Sequence, residues 1–213
     1  MGSRLVIYPD ETVCLPMRYF GNIGYYARMA AYGHAVICAD ALFDKREKRV
    51  HRCDIADTHG AVSLTVPIAK PHGIARARWS DVRLSGHGVW WHVHRVTLES
   101  AYGRTPFFEF YIDRFLPFLS PSVMESYPTI AALDLALDAA IRDILLIDTE
   151  IRIGGDGLDY EKPDMLPPAA ISPYYQVRAD RQGFIPNLSV LDLIFNLGPE
   201  SPLYLRDLIQ RSE

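Results

Sequence analysis

Apolar residues recur at Ile130, Leu133, Leu137, Ile141 and Ile144, the spacing of one helical face, and Thr129 stands where an N-cap belongs. Asp138 and Arg142 add an i,i+4 pair expected on the other side. The 90–102 stretch reads as a further helix. Thr105-Pro106 is a cap followed by a first-turn proline and predicts a helix through Phe107, Phe110, Arg114 and Phe115, ended by Pro117. Near the end, Ser189 caps a short helix made almost wholly of Val190, Leu191, Leu193, Ile194, Phe195 and Leu197, and Gly198-Pro199 stops it. Asp192 suggests an aspartate version of the capping box. Ser201-Pro202 opens a last helix.

Before residue 90 the pattern is different. Short apolar runs at 13–15 and 35–39 read as buried strands, with a helix capped by Asn22 over 23–32 between them. Residues 50–56 and 62–68 predict a strand pair around a turn at Asp57 to Gly60, with Pro67 marking an end or an edge. Val82 and Leu84 suggest a third strand. Gly154 to Gly157 reads as a loop or hinge, and 162–173 as proline-rich irregular chain. The expectation is an α/β protein: a small sheet with helices in the N-terminal half and a mostly helical C-terminal half. One domain over 1–213 is expected, with an α/β part at 1–88 and a mainly helical part at 89–213.

Composition narrows the function classes. The chain has 213 residues, 49% of them apolar, enough for a substantial core. A net charge of −4 gives no global attraction to nucleic acid. No apolar run reaches the roughly 20 residues of a membrane span. The three cysteines, Cys14, Cys38 and Cys53, form no CxxC pair, and reduced thiols in the cytoplasm are the simpler expectation. Neither a G-x-G-x-x-G, a P-loop nor a G-x-S-x-G elbow occurs. No cofactor or metal is expected.

Candidate chemistry centres on Asp44 to Arg52, a run with five cations and two carboxylates. A local positive patch in an acidic protein can steer an anion, and arginine's planar fork suits phosphate or carboxylate. A solvated loop entering an edge strand explains the same run. Asp40 follows an apolar strand, where open α/β sheets place ligands. It is either a general base or a turn residue. His51 is a second candidate base. Trp91 is either a stacking wall or core. Ser189, Asp192 and Asn196 make a polar stripe on an apolar helix, and Tyr175, Gln176 and Asn187 are the nearest partners in sequence. They form either a hydrogen-bonded lock or part of a site.

Several of these stretches also agree with one family. Tyr175-Gln176 followed by Phe184, Pro186, Asn187, Leu188, Ser189 and Asp192 resembles the C-terminal pattern of the WbqC-like protein family. Ile23-Gly24-Tyr25-Tyr26 looks like its Ile-Gly-Tyr-Phe box. Asp40, Lys45-Arg46, His51-Arg52-Cys53, Leu64 to Pro67, Tyr102 and Pro106-Phe107-Phe108 follow its order. Pro16, Met17 and Gly21 depart from its Gln-Pro and proline positions, and His51 replaces an asparagine. The resemblance implies a role in surface polysaccharide (O-antigen) biosynthesis: acyl or aminoacyl transfer to a nucleotide-linked amino sugar. The alternative is a non-catalytic module that holds such a ligand or a partner enzyme. On that reading Lys45, Arg46 and Arg52 hold an anionic small molecule, Trp91 and Tyr102 form a platform, and Asp40 or His51 is the base. Tyr175, Gln176 and Asn187 complete the site. Nucleic acid and membrane are not expected partners.

Overall fold

The computed structural model describes residues 6–69, 71, 76–155, 160 and 171–211. Its first sheet is parallel and has the order β1-β2-β5, formed by β1 (Tyr8–Leu15), β2 (Tyr32–Ile37) and β5 (Glu150–Ile153). Leu15 pairs with Ile37, and Ile37 with Ile153. Parallel neighbours need a crossover, and α1 (Ile23–Ala30) supplies it between β1 and β2. This helix stops two residues before its expected end because Tyr32 already pairs with Tyr8. Gly33 is required where the two strands approach, since a Cβ there would lie 1.9 Å from the Pro9 carbonyl oxygen.

The expected strand pair is an antiparallel hairpin of β3 (Arg52–Asp57) and β4 (Gly60–Thr65). Asp57 Oδ1 accepts from the His59 N–H at 2.6 Å, and Gly60 turns with φ +117°. The second strand ends at Thr65, short of Pro67. Val82 and Leu84 build no strand. They lie in a stretch joined only by isolated bridges, Ile68 to Leu84 and Arg83 to Thr129.

Helices dominate the second half, namely α2 (Trp90–Tyr102), α3 (Phe108–Tyr111), α4 (Val123–Ser126), α5 (Ile130–Ile144), α6 (Ala179–Gln182), α7 (Val190–Leu197) and α8 (Ser201–Arg211). The expected helix after Thr105 is instead broken into α3 and two 3-10 turns, Ile112–Arg114 and Leu116–Leu119. Thr105 Oγ1 donates to the Tyr102 carbonyl at 2.6 Å, so it finishes α2 and caps nothing downstream. Pro117 sits inside the second 3-10 turn. Thr129 does cap α5, accepting from the Ala132 N–H at 3.2 Å. The expected loop at Gly154 to Gly157 is described only through Gly155, and residues 162–170 of the proline-rich stretch lie outside the described residues.

One continuous core joins the halves, from Leu15, Ile37 and Ile55 to Leu133, Phe195 and Leu205. Phe195, fully buried, packs its ring 5.3 Å from Tyr102 and 5.0 Å from Phe108. At ~1.5–3 kcal/mol for each large apolar side chain buried, this aromatic centre is a principal source of stability. Among the described residues no helix is long and apolar enough to cross a membrane.

Candidate functional site

At the carboxyl end of β1 the chain runs Pro16 to Asn22 before entering α1. This segment is buried yet conformationally costly. Phe20, fully buried, adopts φ +43°, a left-handed backbone that a bulky residue rarely takes. Facing it is the N-terminal end of α7, where Asn187 is left-handed too, at φ +54°. The two segments are stitched together. Ser189 Oγ donates to the Phe20 carbonyl at 2.9 Å, and the Val190 N–H to Gly21 at 2.9 Å. Three N–H groups at the start of α1 are satisfied there: Ile23 by the Leu188 carbonyl, Gly24 by Asn187 Oδ1 and Tyr25 by Asn22 Oδ1. The Ser189 N–H reaches across to the Asp54 carbonyl of β3 at 2.7 Å.

Where these three segments meet there is a small recess, lined by Arg18, Asn22, Arg49, Arg52, Asp54 and Ser189 among others. Its free volume is about 10 Å³, room for one water-sized group. Three cations face it against one carboxylate. Asp54 accepts from Arg49 at 2.5 Å and from Ser63 Oγ at 2.6 Å, so its charge is engaged. Arg52 Nε donates to Thr65 Oγ1 at 2.9 Å, a neutral partner. Arg18, only 4% exposed, donates to the Met17 carbonyl at 3.0 Å and lies 3.6 Å from Glu47.

Behind the recess is a buried polar layer. Asp134 on α5 is 1% exposed, and neither carboxylate oxygen has a hydrogen-bond partner among the described residues. Burial drives its pKa well above the ordinary range, with the Arg18 charge opposing and Asp138 adding to the rise. One turn on, Asp138 is also raised by burial but binds Arg142 Nε at 2.7 Å. The Asp138–Arg142 pair expected on the solvent side is therefore largely inside: Asp134 and Asp138 sit on the shoulder of the apolar stripe. Alongside, the Tyr19 hydroxyl bonds His94 Nδ1 at 2.8 Å. Burial holds the His94 pKa down at about 4. Cys53 and Cys38 are buried thiols with pKa values pushed up, Cys38 to about 11, unsuited to thiolate chemistry. Among the described residues no three His, Cys, Asp or Glu side chains gather as a metal site requires.

Residues 17–166, well over half the chain, match the pattern of the WbqC-like protein family. The chain belongs to that family. No curated protein and no solved structure matches it. In this WbqC-like protein the matched span holds Arg18, Arg49, Arg52 and Asp134, whereas Ser189 on the opposite wall, and Asn187 which bonds Gly24 behind it, lie beyond it.

The residues singled out from the sequence divide among several places. Arg52 lines the recess, and Asn187 braces its wall through Gly24. His51 stands beside Arg52 and is half-buried. Its Nδ1 pairs with the Val66 carbonyl at 3.0 Å, and burial lowers its pKa. Asp40, past the end of β2, accepts from Ser80 Oγ at 2.9 Å, and Arg78 binds its carbonyl. Lys45 and Arg46 are exposed, and Arg46 forks onto Asp44 in solvent. Trp91 lines another recess, sharing no residue with the first. Tyr102 is buried at 1% exposure, its hydroxyl accepting from the Ala56 N–H at 3.1 Å. Tyr175 points outward at 57% exposure.

Gln176 belongs to the lock. Its Nε2 donates to Asp192 Oδ2 and to the Ile185 carbonyl, both at 2.9 Å. Asp192 also accepts from Tyr174, and Asn196 Oδ1 from the Val177 N–H. Asp192 thus does not reach back to complete a capping box, while Ser189 does cap α7 through the Leu191 N–H. Sequence reasoning missed Arg18, Asp134 and the Tyr19–His94 pair. A single cation within the apolar run from Leu15 to Tyr26 was the one local signal for Arg18.

Proposed function

We propose that this WbqC-like protein binds an anionic small molecule, a nucleotide-linked amino sugar, over the arginine recess. There it serves acyl or aminoacyl transfer to the sugar amine in surface polysaccharide biosynthesis. The observation that carries this reading is the meeting of Arg18, Arg49 and Arg52 at one recess whose lining holds a single carboxylate, Asp54, bound by Arg49 and Ser63, while Glu47 stands outside the lining, 3.6 Å from Arg18. Arginine forks match phosphate oxygens. A water-sized cleft admits one oxyanion edge, so the rest of the ligand lies outside it.

His51 is the base of this proposal. With its Nδ1 held on a carbonyl and its pKa lowered, the ring is neutral at pH 7, and Nε2 carries the lone pair that an incoming ammonium must lose its proton to. Asp40 is the second candidate, at the strand end where open parallel sheets receive ligands. Lys45 and Arg46 are exposed a few residues beyond Asp40, with the Asp44 carboxylate that Arg46 forks onto offsetting part of their charge.

The binding-module reading is favoured by a different observation. Tyr102, Gln176 and Asn187 each make structural hydrogen bonds, leaving fewer groups to act on a substrate. A thermal-shift screen against nucleotide sugars, acyl thioesters and free amino acids tests both. A ligand at about 100 times its Kd adds about 2.7 kcal/mol. In a chain of this size that raises Tm by roughly 5–10 °C. Nucleotide sugars are expected to do so. If every small molecule fails and only a partner protein stabilises the chain, the transferase proposal is lost.

A further inference from the structure

The second recess lies between α2 and the 3-10 turn Leu116–Leu119, and has a volume of about 280 Å³. Its floor is apolar, made by Leu116, Leu119 and Pro121. Its remaining walls are Trp91, His92, Arg95 and Ser120, with no carboxylate among them. Trp91 is held rigidly. Its ring stands edge-on to buried Trp90 at 5.9 Å and 77°, and Trp90 in turn packs on His94 at 5.3 Å. The indole is therefore a fixed plate, half-buried, with exposed cationic or donor side chains one and four residues further along the same helix.

Each feature selects for one kind of guest. A rigid indole face favours a flat ring, through dispersion and C–H contacts over its π-system. The volume is that of one ring rather than a chain, at the lower end for a small-molecule pocket. Arg95 brings a permanent positive charge with no acidic lining residue to answer it, so an anionic substituent is the complement. Ser120 and His92 supply short-range hydrogen bonding at the rim.

We propose that this recess is a binding site for a flat-faced ring carrying one anionic group, separate from the arginine recess and independent of any reaction there. An acidic pyranose and a nucleoside monophosphate share that chemistry.

Tryptophan emission reads the site directly. The chain has three tryptophans, and Trp79 and Trp90 are 2% and 5% exposed, so a guest over Trp91 dominates any change. The full-length protein is titrated with glucuronate, with uridine monophosphate and with uncharged methyl glucoside, exciting at the red edge to avoid nucleotide absorption. Glucuronate or the nucleotide is expected to give a saturable change with a millimolar Kd, and the tighter of the two identifies the source. Methyl glucoside is expected to bind roughly tenfold more weakly. Arg95→Ala, an exposed substitution with no folding role, is expected to weaken the charged ligand by a similar factor. Trp91→Ala followed by calorimetry should abolish binding. An Arg49→Ala/Arg52→Ala double variant should leave the titration unchanged, which separates this site from the first. A linear, unsaturable response to all three ligands overturns the proposal. So does equal binding of charged and uncharged sugars, or full affinity in Arg95→Ala.

Discussion

Gln176 donates to the Asp192 carboxylate at 2.9 Å, from 16 residues upstream, and so ties the segment before α6 to the buried face of α7. Asp192 is 1% exposed and collects Tyr174 as well. Burial alone would raise its pKa, and the Tyr174, Tyr102 and Gln176 bonds oppose that rise. Asp192→Ala removes the acceptor shared by Tyr174, Tyr102 and Gln176, at about 1–3 kcal/mol for each buried donor left unpaired, though Gln176 keeps the Ile185 carbonyl. We expect it to lower Tm by more than about 5 °C. Asp192→Asn keeps an acceptor and should cost clearly less. Equal melting temperatures for the two variants would show that the lock contributes nothing.

Asp134 and His94 drive stability in opposite directions with pH. Asp134 has a folded pKa raised by burial above the unfolded value of about 3.9. Its contribution is full below that value and is lost as pH rises through the folded pKa. His94 has a folded pKa of about 4, below an unfolded value of about 6.5. Its contribution is full above pH ~6.5 and falls, by about 3 kcal/mol in all, as pH drops to ~4. The two partly offset in the native chain. Asp134→Asn should therefore be more stable at pH 7 than the native protein, by about 1–3 kcal/mol, and nearly equal at pH 4. His94→Gln should lose the acid-side decline. Urea midpoints measured from pH 4 to 8 check both, and parallel curves for all three proteins would contradict the assignment.

Arg49 and Arg52 should matter for anions before they matter for the fold. Replacing Arg52 with Ala frees only Thr65 Oγ1, and the cost in stability should stay under about 1 kcal/mol. Arg49→Ala also unpairs half-buried Asp54, which keeps its bond to Ser63. In both variants the thermal shift given by a nucleotide sugar should shrink at least tenfold in ligand affinity, about 1.4 kcal/mol. Unchanged affinity would remove the recess from consideration.

His51→Gln and Asp40→Asn separate enzyme from binder. Gln retains a group able to meet the Val66 carbonyl, and Asn keeps an acceptor for Ser80. Proton transfer by a placed base is worth about 10²–10⁴ in rate. A transferase using His51 should lose that factor in kcat with ligand affinity intact. Loss of affinity with turnover unaltered would assign His51 to binding.

The parts of the fold legible in the sequence were those decided locally. Thr129 and Ser189 announce α5 and α7 because a cap needs only its own next residues. The Asp57 to Gly60 turn is local in the same way. Glu150–Ile153 gave no such signal. Four residues become a strand only because β2 leaves an edge for them to pair with. Thr105 reads as a cap until the carbonyl of Tyr102 claims its hydroxyl. The site divided along the same line. Arg52 and Asn187 lie in recognisable stretches. Arg18 is a site residue because Glu47 and Asp134, distant in sequence, surround it. Asp134 sits only 40° around the helix from Ile130, where periodicity cannot separate a shoulder from a solvent face.

The Gly24 N–H donates to Asn187 Oδ1, 163 positions later. Helix α1 therefore begins life on the ribosome with its leading turn unfinished, and the arginines of the first quarter wait for a wall made near the end. A truncated or prematurely released chain would carry the charges but not the cleft. The recess is thus a shared product of two distant stretches, and the one carrying Asn187 and Ser189 decides when it closes.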